Sequence, residues 1–508
     1  MSISQAGSLM KLKQNNLTRY LILGLVFALG FAIRIYDLKD PPLDFHPTRQ
    51  LRSALISRSV YYQLDPTVDP AVRSLAKQLA SLEVYEPPIL ESIVGATYAV
   101  VGGEKFWISR IYNAFFWCIG GLVLYLLNRR QLSFWAVLTG LAFYFFLPFS
   151  VITSRSFQPD PWMVMWILLA GFSIVQWSKK QNWKWAVAAG LIGGVAVLVK
   201  SVAAFFVLGI YAAVILDGLG IKKAVKTLQP WVIAAFALTP TAVFYLFFNQ
   251  GRSSDFFSFW FVSLSGLLLE TEFYADWLAM VKGLMGLTTF ALGIVGALVA
   301  SRQLKPFLIG AWAGYVLYGL VFPYQYTTHE YYHIALVPIV ALSIMPVMDL
   351  ILAAVKRQHW VWRTGVAGVV VFASFYGLWV SRSILYASDF QNEPISWKRV
   401  GEAIPENHSF IALTADYGMR LRYYGWRMMS ASWPSGADLN LFSLAGNDPL
   451  EYESYFEEVT SGKDYFVVTA FSELDSQPQL KDILYNHYPV YSEGDGYLIF
   501  DLMNPLSQ

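Results

Sequence analysis

Three side chains able to do acid–base or anion chemistry crowd into one short stretch, Pro41-Pro42-Leu43-Asp44-Phe45-His46-Pro47-Thr48-Arg49-Gln50, with a fourth, Arg52, just beyond it. A carboxylate such as Asp44 can take a proton or hold a metal. The His46 imidazole can do either or shuttle protons, and the guanidiniums of Arg49 and Arg52 match a phosphate in a planar fork. The same residues would also suit a solvated loop, since the stretch directly follows an apolar run from Leu21 to Ile35.

Four further groups carry similar chemistry. In Tyr85-Glu86-Pro87-Pro88 the double proline fixes the chain before a helix and aims Glu86, which would also sit well at a helix N-terminus. In Ser154-Arg155-Ser156-Phe157-Gln158-Pro159-Asp160-Pro161, Arg155 is a lone cation in a tight turn and Asp160 opens the next helix. Lys200 stands at the tip of an apolar hairpin, where it either snorkels to the surface or binds an anion. Finally Thr327-Thr328-His329-Glu330-Tyr331-Tyr332-His333 offers substrate contacts through His329, Tyr332 and His333. Two histidines four apart would share a helix face, so a divalent metal held by His329 and His333, with Glu86 as a further candidate, is one reading; hydrogen bonds to a phosphate are the other.

The elements that must position these groups are membrane helices. The chain has 508 residues, 56% hydrophobic and 17% aromatic but only 14% charged, against about a quarter charged in soluble proteins. Its formal charge of +2 is not gathered into a stripe suited to nucleic acid. Cys118, the single cysteine, allows neither an internal disulfide nor a cysteine-based zinc site. Lys11, Lys13 and Arg19 precede the first apolar run and no small-residue cleavage motif follows, which predicts an uncleaved anchor helix. Eleven membrane helices are expected near 18–36, 106–127, 132–149, 158–177, 184–199, 202–217, 230–248, 279–300, 305–322, 332–354 and 362–381.

The stretch from Ala186 to Ile215 as one helix would reach ~45 Å against a ~30 Å hydrocarbon core. A hairpin at Lys200-Ser201 solves this and puts Arg129/Arg130, Lys179/Lys180, Lys222/Lys223/Lys226, Arg302/Lys305 and Lys356/Arg357/Arg363 on the cytoplasmic side with the N-terminus. Three long segments then face outward. The first, 37–105, has helical periodicity in Leu51 to Tyr62 and Ala71 to Leu82, as in helices lying on a membrane surface. The second, 250–278, carries Phe256, Phe257, Phe259, Trp260 and Phe261 beside Asp255, Glu270 and Glu272, an interfacial composition. The third, 388–508, reads as a small soluble α/β domain with strands at 410–414, 464–469 and 496–500 and a helix at 479–488, distinct from a membrane domain over 1–387.

In order and topology, residues 18–381 resemble the membrane-embedded glycosyltransferases of the GT-C fold. The similarity is to the bacterial branch related to the dolichyl-phosphate-mannose protein mannosyltransferases and the lipid A aminoarabinose transferase. It rests on an acidic residue just after the first helix (Asp44), an x-Pro-Pro turn (Glu86-Pro87-Pro88), an Arg…Pro-Asp-x-x-Met turn (Arg155 to Met163) and the Gly194-to-Lys200 segment. The chain departs from the family's usual Lys-Pro-Pro or His-Pro-Pro at Glu86, and has His46 where a second acid often stands.

The resemblance implies an all-α polytopic GT-C-like domain that takes a sugar from a polyprenyl-phosphate donor to a protein, lipid or glycan hydroxyl. Asp44 would be the base and Lys200 would lie beside the phosphate. It further implies a multi-pass protein among the lipids of a bacterial inner membrane, its C-terminal domain periplasmic, acting in glycosylation of the cell envelope. The alternative class is a transporter or flippase of lipid-linked substrates, which would place its ionisable residues near the bilayer midplane and carry internal repeats. Here the ionisable residues lie at helix ends and no repeat is seen.

Overall fold

The structure is a computed structural model that describes residues 3–81, 86–249 and 258–506, with side chains from Asn16 onward. Leu82, Tyr85, Asp255, Phe256 and Phe257 lie outside the described residues, as do the side chains of Lys11 and Lys13.

Among the described residues seven helices are long and apolar enough to cross a membrane, and nine if each of two bent pairs counts as one span. The seven include α1 (Ile3–Arg34), α5 (Trp107–Asn128), α8 (Asp160–Lys180) and α10 (Ala203–Lys226). They also include α11 (Leu228–Val243, running on as a π-helical turn to Phe248), α16 (Leu336–Val355, with the turn before it) and α17 (Trp360–Ala387). Two 17-residue apolar helices, α9 (Trp183–Val199) and α14 (Lys305–Val321), occupy the fifth and ninth expected positions. The hairpin between α9 and α10 turns at Lys200-Ser201. Gly209 of α10 sits against Gly310 and Gly314 of α14, so these two backbones touch where any side chain would hold them apart.

Two expected single helices are broken. The span at 132–149 is α6 (Phe134–Phe146) followed by α7 (Pro148–Arg155), bent by 57°. Pro148 has no N–H to give Tyr144, whose carbonyl instead accepts from the Trp117 indole at 3.3 Å and the Ser150 hydroxyl at 2.6 Å. The fully buried Arg34 of α1 serves the same bend, donating to Gly30 O, Phe145 O and Ser154 Oγ. The span at 279–300 is α13 (Leu287–Val299), joined at Gly286 (φ 78°) to α12 (Thr271–Met285) with a 96° bend. Most of α12 therefore falls in the segment expected to be interfacial loop.

On the side of the bundle where α5 and α8 begin lie α2 (Pro47–Leu64), α3 (Pro70–Leu79) and α4 (Ile89–Val101). Pro47 and Pro70 stand at first helical positions, where a missing N–H costs nothing. Beyond α17 and α18 (Glu393–Ala403) comes a five-stranded sheet, ordered β2 (Ala431–Ser432), β1 (Phe410–Leu413), β3 (Tyr465–Val468), β5 (Tyr497–Asp501), β4 (Val490–Gly494). β1 pairs in parallel with β2 and β3, whereas β5 is antiparallel to β3 and β4. The central strands are buried on both faces. Ile411 and Phe466 pack against Trp433 and Leu484, and Phe410 and Val467 pack against Trp397 and Val400. The domain is docked onto the first loop by Arg58, which pairs with Glu104 at 3.0 Å and stacks between Tyr423 and Trp426.

Candidate active site

The loop from Asp37 to Gln50 is pinned by two arginines from different helices. Arg110, in the first turn of α5, donates to the carbonyls of Leu38, Asp40 and Pro41, and Arg155, closing α7, donates to that of Asp37. Both guanidiniums face Asp44, at 3.2 Å from Arg110 and 3.6 Å from Arg155, and Gln50 donates to the same carboxylate at 3.0 Å. Burial pushes the Asp44 carboxyl up, but the two guanidiniums and Gln50 outweigh it and hold the group below the usual carboxylate range. The Asp44 side chain is only 4% exposed. The acid expected at the reacting centre thus lies among two arginines and a glutamine and is not one of the residues that line the cavity. Sequence reasoning missed Arg110, for which the only signal was a cation at the start of an apolar run.

A second group sits on the cavity itself. Glu86 lies 3.2 Å from Arg49 and 4.0 Å from Lys200, and Lys200 Nζ lies 2.8 Å from Asp160 Oδ1. Chain ends place them. Asp160 is in the first turn of α8, near its positive pole; Lys200 follows the last residue of α9, near a negative one. Burial would raise the Glu86 pKa, yet Arg49, Lys200 and Arg52 together bring it below the ordinary value. Tyr331 and Tyr332 stack over Lys200, with ring centroids 5.1 and 5.7 Å from its ammonium.

The cavity measures about 660 Å³, and Arg49, Arg52, Glu86 and Lys200 form one part of its wall. Aromatic rings of Trp260, Tyr324, Tyr331 and Tyr332, with His329, form another, and Tyr417, Met419 and Asp438 of the C-terminal domain complete it. His46 is bonded to Glu330 at 2.8 Å and stacked on His329. Burial, and repulsion from His46, bring the His329 pKa down to about 4.

His333 is not part of the site. Residues 330–333 form a 3₁₀ turn, and the two ring nitrogens of His333 are bonded to Tyr315 Oη and Tyr326 O in the bundle core. The pairing of His329 with His333 on one helix face therefore fails, and with it their joint ligation of a metal. Glu86 is surrounded by cations, which would repel a divalent ion. Among the described residues no group of three His, Cys, Asp or Glu could hold one.

Comparison with known proteins places this geometry. The chain aligns over 95% of its length with the crystal structure of ArnT from Cupriavidus metallidurans bound to undecaprenyl phosphate, covering 97% of that chain at TM-score 0.56 and 14% identity. The fold is the GT-C fold. The archaeal oligosaccharyltransferase AglB from Archaeoglobus fulgidus, in complex with an inhibitory peptide and a dolichol-phosphate, is also similar, with TM-score 0.53, 15% identity and coverage of 94% of this chain and 74% of that one. Residues 85–247 match the family model described as dolichyl-phosphate-mannose-protein mannosyltransferase, a span from the Glu86 turn through Arg155, Asp160 and Lys200 to α11. No curated protein sequence matches the chain.

Proposed function

We propose that the protein is an integral membrane glycosyltransferase that moves a hexosyl or pentosyl unit from a polyprenyl-phosphate donor to an acceptor hydroxyl, with inversion, at the outer face of the membrane. One observation carries this reading: three cations, Arg49, Arg52 and Lys200, line one cavity together with the Glu86 carboxylate, beside a surface of aromatic rings. The cations suit a phosphate and the rings suit the apolar face of a sugar. The polyprenyl phosphates bound to ArnT and AglB make the same donor class the natural expectation here.

In the reaction the acceptor oxygen attacks the anomeric carbon opposite the phosphate and gives up its proton to a carboxylate. The new C–O bond forms as the bond to the phosphate oxygen breaks, and polyprenyl phosphate leaves as the anion. Arg49, Arg52 and Lys200 stabilise the charge that develops on it. Glu86 is the base in this scheme, because its carboxylate borders the cavity whereas that of Asp44 does not. Asp44 keeps Arg110 and Arg155 neutralised and the loop in shape. His46 and Glu330 fix the rim, and Asp160 holds Lys200 in place. The acceptor is a protein, lipid or glycan hydroxyl.

The test supplies radiolabelled polyprenyl-phosphate sugars to membranes containing the protein and follows the label. Transfer by the wild type, and a 10²–10⁴-fold slower turnover in Glu86→Gln at equal protein level, are expected. If no polyprenyl-phosphate sugar loses label to any acceptor, the transferase reading is wrong. If Glu86→Gln turns over like the wild type, the base must be sought elsewhere, at Asp44 first.

A further inference from the structure

The C-terminal domain contributes directly to the cavity, and how it does so is unusual. Asp416, Tyr417 and Gly418 are all left-handed, with φ of 55°, 51° and 72°. Two consecutive non-glycine residues in that region are strained, and the surrounding contacts hold them there. Arg420 clamps Asp416 from one turn on, and the Tyr417 hydroxyl donates to Asp438 Oδ1 at 2.8 Å. The result is a tyrosine on the cavity wall whose proton is committed to Asp438, so its oxygen lone pairs are left to accept.

A second group has the same property. Gln325 lines the same cavity, is 3% exposed, and its Oε1 is buried without a hydrogen-bond partner. A buried amide oxygen left so is unfavourable unless a ligand completes it. The two groups differ in depth: Tyr417 is 53% exposed, whereas Gln325 is as buried as the Lys200 side chain, which is 7% exposed. A molecule arriving from solvent meets Tyr417 first, with Gln325 and the cations deeper.

We propose that Tyr417 and Gln325 form an acceptor subsite for a carbohydrate hydroxyl, with Asp438 as the residue that orients Tyr417. Two acceptor oxygens on the wall of a cavity that is also lined by aromatic rings match a pyranose, which offers several O–H donors around an apolar C–H face. They do not suit an anionic group, which Asp438 would repel. The acceptor is accordingly a glycan or glycolipid sugar rather than a phosphate-bearing group. This rests on the transferase reading, and it assigns the C-terminal domain the task of choosing what is glycosylated.

The experiment uses the full-length protein in nanodiscs, with saturation-transfer NMR of methyl α-glucoside, methyl α-mannoside and methyl β-galactoside as probes. Undecaprenyl phosphate is titrated separately. We expect at least one glycoside to receive saturation, and to keep it when undecaprenyl-phosphate-glucose is added. Tyr417→Phe should weaken that glycoside about five- to tenfold, the loss of one or two hydrogen bonds, and leave undecaprenyl phosphate binding unchanged. Asp438→Asn should weaken it similarly, and the double variant no further, which a merely structural effect of Asp438 would not produce. Absence of glycoside binding, equal binding in Tyr417→Phe, or displacement by the lipid-linked sugar each overturns the subsite. Failure of undecaprenyl phosphate to bind the wild type would instead strike the transferase reading.

Discussion

Lys200 Nζ stands 2.8 Å from Asp160 Oδ1 in a buried ion pair whose lysine also reaches the cavity. The aspartate is in the first turn of α8 and the lysine follows the last residue of α9, so one short contact ties the hairpin tip to the helix that precedes it. In the proposed reaction this gives the lysine two duties, holding Asp160 and presenting a charge to the donor.

The two duties separate by mutation. Lys200→Met keeps the apolar stem but removes both interactions, leaving Asp160 buried and unpaired, a loss of about 3–5 kcal/mol in stability. Adding Asp160→Asn removes the stranded charge and should restore most of the melting temperature in detergent. The KM for the lipid-linked sugar should stay raised about tenfold or more in both variants, since a charge-assisted contact is worth ~1.5–3 kcal/mol. A double variant with wild-type donor KM would show that the lysine is structural only.

Asp44→Asn is expected to act through folding. It leaves Arg110 and Arg155 facing each other in a nearly dry environment with no carboxylate between them. The cost of breaking such a buried pair is about 3–5 kcal/mol, so thermal unfolding in detergent should move down markedly. Glu86→Gln, whose partners keep more contact with the cavity, should melt close to the wild type. Reversal of that order would return Asp44 to the chemistry.

The pH dependence follows from three carboxyls and an imidazole. Asp44 and Glu86 have lowered pKa values, so the stability they contribute is complete above the ordinary unfolded values near 4 and is lost as pH falls through their lower folded values. Asp40 behaves oppositely. Burial, only partly offset by the backbone hydrogen bond from Phe390, raises it to about 6. Between its unfolded value and about 6 the folded state binds more protons, so stability rises as pH is lowered through that window. The His329 imidazole works against this: held down to about 4 in the fold, it takes up its proton only after the unfolded chain has done so near 6.5, so its contribution falls as pH drops through that window. Asp40→Asn should therefore make the melting temperature fall more steeply between about pH 6.5 and 4 than in the wild type, while the fall below about 4 remains.

Much of this was legible in the sequence, and the remainder fails for identifiable reasons. Apolar runs and turn residues located the helices, the hairpin at Lys200 and three of the strands, because burial pattern and chain breaks are local. Arg155, Asp160 and Lys200 stood out as ions with no solubility reason to be there. The direction of a side chain is not local. His333 turns inward because residues 330–333 wind as a 3₁₀ turn and its ring nitrogens meet Tyr315 Oη and Tyr326 O, which belong to two other elements of the chain. Asp44 is sealed by Arg110, which lies 66 residues away and reads on its own as a boundary charge. Tyr417 carried no signal at all, since left-handed backbone at a tyrosine cannot be read from a Asp-Tyr-Gly sequence alone.

Orientation in the membrane is the remaining prediction, and the structure sharpens it. α5 runs from Arg110 at the site to Arg129, α8 from Asp160 to Lys180, and the α9–α10 hairpin from Lys200 to Lys226. Each of these segments thus carries a site residue at one end and a basic residue at the other, separated by about 30 Å in α5 and α8 and about 39 Å along α10 at 1.5 Å per residue. Cations in short loops are retained in the cytoplasm, so the site end must face out. Reporter fusions after residues 130, 180, 226, 304 and 358 should read as cytoplasmic, and those after 95, 265 and 400 as external. The fusion after 400 is the most demanding, because the C-terminal domain supplies Tyr417 and Asp438 to the same cavity as Lys200 and must share its side. A cytoplasmic signal there, with an external one after 95, could not be reconciled with the Arg58–Glu104–Tyr423 contact that joins the two segments.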